Sequence, residues 1–170
     1  LNDGFHLDVT AMMQCCNAAG ARGVYDLWHH AAVAEPRAGG TPRVGIHLRF
    51  SVETEHVRVI CHEPTRGRLD IAARHGVEVE VRLPEGTPRA VLTRTPVGSA
   101  GRSEISDIEL TAVDGYVHVP VRAGEDVTLT YHQRERVAAS TVGKPGKDDQ
   151  VTGFWRGETL VRVEPEGRFH

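Results

Sequence analysis

Aromatic side chains are scarce in this sequence, at 5% of its residues. That is too few for the stacking platforms of a dedicated carbohydrate-binding module. Charge of one sign is missing too: 20 Lys and Arg stand against 23 Asp and Glu, a formal balance of −3 with no basic block. A nucleic-acid footprint is therefore not expected. No apolar run approaches the ~20 residues of a membrane-spanning helix, so no membrane partner is expected either. The three cysteines, two of them adjacent, do not make a disulfide framework. Their odd count suits a reducing compartment and points to the cytoplasm. The opening residues lack the charged, apolar and small-residue order of a signal peptide. The chain begins at Leu1 and enters directly into Asn2-Asp3-Gly4-Phe5-His6. It reads as a piece of something longer, in which such a peptide could precede it.

The 170 residues suffice for one domain with a core plus a fragment of another. From Ala18 onward, Ala21, Val24, Tyr25, Trp28, Ala31 and Ala32 recur at helical spacing. This predicts one amphipathic helix ending near Glu35-Pro36, with Asn17 as its N-cap and Trp28 in its core face. Gly20 and Gly23 each cost up to ~1 kcal/mol in a helix interior, a loss that packing against a larger body would offset.

The cluster Glu35-Pro36-Arg37-Ala38-Gly39-Gly40-Thr41-Pro42 breaks that pattern and marks a boundary. Beyond it the period changes to two. Val44, Ile46, Leu48 and Phe50 alternate with Gly45, His47 and Arg49, and Val77, Val79, Val81 and Leu83 with Glu78, Glu80 and Arg82. Further short runs are separated by turn signals at Arg66-Gly67, Glu85-Gly86, Asp114-Gly115, Ala123-Gly124 and Arg156-Gly157. Short strands without crossover helices predict a mainly β fold, an antiparallel β-sandwich over residues 43–170. Thr95 to Ser106 and Gly143 to Gln150 read as surface loops.

The stretch Met12-Met13-Gln14-Cys15-Cys16-Asn17 carries the clearest chemical signal. Neighbouring side chains cannot share one buried helical stripe, so packing does not readily explain two adjacent cysteines. Three readings compete: small buried hydrophobes at a junction, a strained vicinal disulfide, or thiolates acting as zinc ligands or a nucleophile, favoured by a helix N-terminus. Two adjacent thiolates cannot complete a tetrahedral zinc site alone.

Cys15-Cys16-Asn17 with Gly20, Arg22 and Tyr25 resembles the segment ending the catalytic barrel of the β-L-arabinofuranosidase family of glycoside hydrolases, family 127. Ile46-His47-Leu48-Arg49-Phe50-Ser51, the strand from Val57 to His62, and Trp155-Arg156-Gly157-Glu158-Thr159-Leu160-Val161 are similar to the sandwich that follows that barrel. The resemblance implies that residues 1–36 end a helical (α/α) barrel and that the complete protein is a retaining hydrolase of L-arabinofuranoside-like sugars. Cys15 would be nucleophile and zinc ligand, and Cys16 a second ligand of Zn2+. The remaining ligands and the acid/base glutamate would lie in an upstream barrel segment outside this chain, leaving the fragment alone inactive. Sandwich domains trailing a barrel often sit at subunit contacts, and by analogy a homodimer is expected.

The histidines carry blander expectations. His29 and His30 suit a helix C-terminus; His47, His118 and His132 occupy polar positions of strands; Cys61 and His62 point to opposite faces and cannot coordinate jointly. Trp155 is expected in the sandwich core, with sugar stacking the sharper alternative. Arg22 would pair with a barrel carboxylate or remain solvated. Two rival functions stand beside the hydrolase: a noncatalytic β-sandwich accessory or interaction module, and a small zinc-stabilised protein that unfolds on chelation.

Overall fold

The computed structural model describes residues 18–36, 40–95, 106–144 and 147–165. Among the described residues, one helix, residues 18–29, leads into thirteen strands. Four of these, β1 (Ala32–Glu35), β2 (Arg43–Ile46), β6 (Val77–Arg82) and β9 (Tyr116–Val121), form one sheet in the order β1-β2-β6-β9. A second sheet runs β3-β4-β5-β10-β7-β8, from β3 (Val52–Glu53), β4 (Val57–Cys61), β5 (Arg68–Ala73), β7 (Arg89–Thr95), β8 (Ser106–Thr111) and β10 (Asp126–Tyr131). The expected β-sandwich is therefore present. Its pairings are antiparallel except β2 with β6, whose parallel register (Val44↔Val79, Ile46↔Val81) follows from the chain visiting the other sheet between them.

Alternation builds the core. In β6 the valines Val77, Val79 and Val81 are buried while Glu78 and Arg82 face outward or sideways. In β10, Val127, Leu129 and Tyr131 turn inward in the same way. The inner faces of both sheets merge into one apolar cluster, each fully buried Val or Leu contributing about 1.5–3 kcal/mol. Gly67, in a turn, is fixed by space: a Cβ there would lie 2.2 Å from the Tyr131 carbonyl oxygen.

A third sheet, β11-β12-β13, comprises β11 (Glu135–Lys144), β12 (Lys147–Arg156) and β13 (Thr159–Glu164). In place of the loop expected at Gly143 to Gln150, residues 143–144 and 147–150 are strand, with Gly143 opposite Asp148 and Lys144 opposite Lys147; residues 145–146 lie outside the described residues. Local cross-strand bonding extends this hairpin through a polar, β-poor composition. Its β12–β13 turn places Gly157 at φ 59°, in the left-handed region that favours glycine.

Three further expectations are corrected. The helix ends at residue 29 instead of near Pro36; Ala31 and Ala32 are buried as lead-in and start of β1, which pairs Ala32 with Ile46. The sandwich thus takes in residues on the N-terminal side of the breaker cluster. Trp28 is half exposed, at 50%, and Val24, Tyr25 and Leu27 are also exposed; among the described residues nothing covers that apolar stripe. Finally, the alternation from Val44 fails after Ile46, where β2 ends. Arg49 is buried and Phe50 is 47% exposed, because a charge network draws the guanidinium inward. No described helix is long and apolar enough to cross a membrane.

Candidate functional site

Cys15 and Cys16, assigned the nucleophile and zinc-ligand roles, lie outside the described residues, as does Asn17. Within the described residues, no group of three or more His, Cys, Asp or Glu stands close enough to hold a metal ion. The described residues by themselves therefore offer no complete zinc site.

What the structure does assemble is a buried ionic node. Its central residue is Arg49, on the segment after β2, with a side chain 5% exposed. Its Nε donates to Glu63 Oε1 at 2.8 Å, one terminal nitrogen donates to Glu158 Oε2 at 2.7 Å, and the other reaches the Arg82 carbonyl at 3.3 Å. Glu63, 9% exposed, also accepts the Tyr131 hydroxyl at 2.6 Å. The second oxygen of Glu158 accepts the backbone N–H of Glu85 at 3.1 Å. Strand end, loop and hairpin turn thus meet on one guanidinium, whose planar fork suits several carboxylate partners at once.

The electrostatics follow from burial and pairing. Burial alone would lower the Arg49 pKa, but the hydrogen bond to Glu158 and the charge of Glu63 outweigh it and hold the cation firmly. Burial would raise Glu158, yet the bonds from Arg49 and the Glu85 N–H bring it below the usual glutamate value. The Tyr131 phenol is pushed far up, by burial first and by its bond to Glu63 second. Cys61 lies beside the node, its Sγ accepting the Glu63 N–H at 3.4 Å. Burial pushes its thiol up, so it stays protonated and is a poor nucleophile.

Several of the described histidines hold structural partners. The His30 Nδ1 lies 2.7 Å from the Asp26 carbonyl at the helix end. His62 Nε2 lies 2.8 Å from Asp70, which also accepts from Arg68 and Thr128. His47 meets the Tyr116 hydroxyl at 3.1 Å, and His118 meets Glu80 at 3.2 Å. Trp155 is partly buried in the third sheet, outside the sandwich's core cluster, with the Arg136 guanidinium 4.9 Å from its ring centre.

Beside the node opens a cavity of about 410 Å3 lined by Glu85, Gly86, Arg134, Arg136, Gly157 and Glu158. Sequence reasoning missed both node and cavity. Arg49 sat at an outward position of an apparent strand, and no spacing links it to a glutamate 109 residues away. The usable signal was the pair of segments Ile46–Ser51 and Trp155–Val161, singled out for resemblance and joined here by Arg49 and Glu158.

No protein-family description and no curated protein matches this sequence. Among solved structures, the chain is similar to a GH127 β-L-arabinofuranosidase of Geobacillus stearothermophilus T6, with a TM-score of 0.51 and 17% identity. The similarity covers 86% of this chain and 23% of that enzyme, so the chain spans about a quarter of its length. At that identity the shared property is the fold.

Proposed function

We propose that this chain is the sandwich-bearing part of a larger glycoside hydrolase acting on L-arabinofuranoside-like sugars, with Cys15 as the attacking thiolate. The observation that supports the reading most is the fold similarity to a β-L-arabinofuranosidase over 86% of the chain. The chemistry is that of a covalent two-step displacement. The Cys15 sulfur bonds to the anomeric carbon as the glycosidic oxygen departs with a proton from a carboxylic acid outside this chain. Water then attacks the same carbon and releases the thiolate, so two inversions give net retention. Cys15 and Cys16 would be the zinc ligands of this chain; bound zinc would keep a coordinated thiol deprotonated, and its other ligands would come from outside the chain.

The test is hydrolysis of an aryl β-L-arabinofuranoside by the complete parent protein, wild type against Cys15→Ala, with bound zinc assayed in both. Activity lost in a folded C15A protein supports thiolate catalysis. Equal activity in the two proteins overturns the nucleophile, and absence of activity and zinc in both favours a noncatalytic accessory module.

A further inference from the structure

Arg134 and Arg136, on the wall of the cavity beside the node, have no carboxylate partner among the described residues. Several other guanidiniums do, among them Arg49 on Glu63 and Glu158, Arg94 on Glu125 and Arg68 on Asp70, while Arg136 packs its guanidinium over the Trp155 ring. A second group is unsatisfied nearby. Gln133 Nε2 is buried without a hydrogen-bond partner and lies 3.7 Å from where a Cβ on Gly157 would sit. Buried donors are normally paired; Gln133 adjoins Gly157 and does not itself line the cavity.

The space is built to stay open. Gly86 and Gly157, both at positive φ, line it, and no atom lies within 4 Å of a Cβ placed on Gly86. A volume of about 410 Å3 lies within the ~300–1,000 Å3 of small-molecule sites.

The lining also selects the ligand. Two guanidinium forks suit a carboxylate, which each can hold with paired N–H donors. A phosphate or polyanion would place extra negative charge against Glu85 and Glu158. Hydroxyl groups, which can donate, instead suit those glutamate oxygens. A neutral sugar would leave both cations without an anionic partner. We infer that this cavity binds a monocarboxylate bearing several hydroxyls, the chemistry of a uronic acid residue, with its carboxylate on Arg134 and Arg136 and its hydroxyls toward Glu85. The inference uses no residue of the proposed thiolate chemistry and does not depend on that reading.

The experiment is calorimetric titration of the complete parent protein with galacturonate, galactose and inorganic phosphate, for the wild type and for Arg134→Gln/Arg136→Gln. Both arginines are exposed, but Arg136 also stacks on Trp155, so the melting temperature of the double variant is measured beside the titrations and a loss of no more than a few degrees is expected. Galacturonate is expected to bind in the millimolar range or tighter, with at least about tenfold weaker binding in the double variant and none detectable for galactose. Galacturonate binding that survives in the double variant overturns the inference. So do galactose or phosphate binding the wild type as tightly as galacturonate, and absence of galacturonate binding to the wild type. The arms involving galactose and phosphate need no variant and stand even if R134Q/R136Q misfolds.

Discussion

In the two-sheet sandwich Val79 and Leu129 are fully buried, whereas in the three-stranded sheet Val137 is 63% exposed and Leu160 and Val161 are also exposed. Strand pairing is extensive in both regions; β11 and β12 keep one register over ten residue pairs, while β12 and β13 shift register between Phe154 and Trp155. A ladder forms from local cross-strand bonds, but an apolar core requires a second sheet laid across it. The third sheet lacks that cover among the described residues. It is supported instead by Arg136 over Trp155, by Arg162 over Phe154, and by ties to the sandwich at its hairpin turn. Those ties are Glu158 to Arg49 and to the Glu85 N–H.

Breaking the node should therefore give the largest effect. Arg49→Ala leaves Glu63 buried without its cation, a loss of about 3–5 kcal/mol read from the urea midpoint. Glu158→Gln removes only a partner whose side chain is 44% exposed, and should cost about 1 kcal/mol or less. It should nevertheless speed limited proteolysis within residues 135–164, because the tether of the third sheet is weakened. Equal stability losses in the two variants would show that the node works as one unit and not as core plus tether.

Core deletion comes next. Leu129→Ala, at a fully buried position, should cost about 2–5 kcal/mol, whereas Val137→Ala in β11 should stay within about 0.5 kcal/mol of wild type. A large loss in V137A would mean that something covers the third sheet.

Acid should act through three carboxylates. Burial raises Asp70, Glu125 and Glu158, but hydrogen bonds and charges from Arg68 and His62, from Arg122 and Arg94, and from Arg49 and the Glu85 N–H outweigh it, holding each below its ordinary value. A folded pKa below the unfolded one gives stability that is complete above the unfolded value. Those values are 3.8 for Asp70 and 4.5 for the glutamates, and the contribution disappears as pH falls through the folded ones. The urea midpoint should accordingly hold steady above pH 5 and fall as the pH is lowered below about 4.5. A midpoint that stays level down to pH 3 would remove these pairs from the account of stability.

The contrast between the regions also explains what could be read in advance. Period-two alternation located β6, β9 and β10 because one face of each is buried; Val77, Val79 and Val81 carry that signal unaided. It could not place Ala31 and Ala32, whose small side chains fit a helical stripe and a strand equally well. Nor could it find β11 and β12 near Lys144 and Lys147, where the sequence carries no apolar alternation. Arg49 escaped for a different reason. Its inward position is set by Glu63 and Glu158, contacts that exist only after three distant segments have met. The thiolate reading of Cys15 and Cys16 rests on their adjacency together with the family resemblance, and both residues lie outside the described ones.

The smallest expected effect sharpens the comparison within β12. A Cβ on Gly153 would lie 3.1 Å from Leu160 Cδ1 and 3.2 Å from Trp155 Nε1, a tight fit in which both neighbours belong to the third sheet. Gly153→Ala gains about 0.5–1 kcal/mol from lower chain entropy in a strand. It loses a comparable amount as Leu160 and the indole move aside. Because the sheet is open, those side chains have somewhere to go, so net stability should change by less than about 0.5 kcal/mol while Trp155 fluorescence shifts as its stack with Arg136 is disturbed. The same crowding in the sandwich would have no such outlet. A G153A protein destabilised by several kcal/mol would show that the third sheet is packed as tightly as the core.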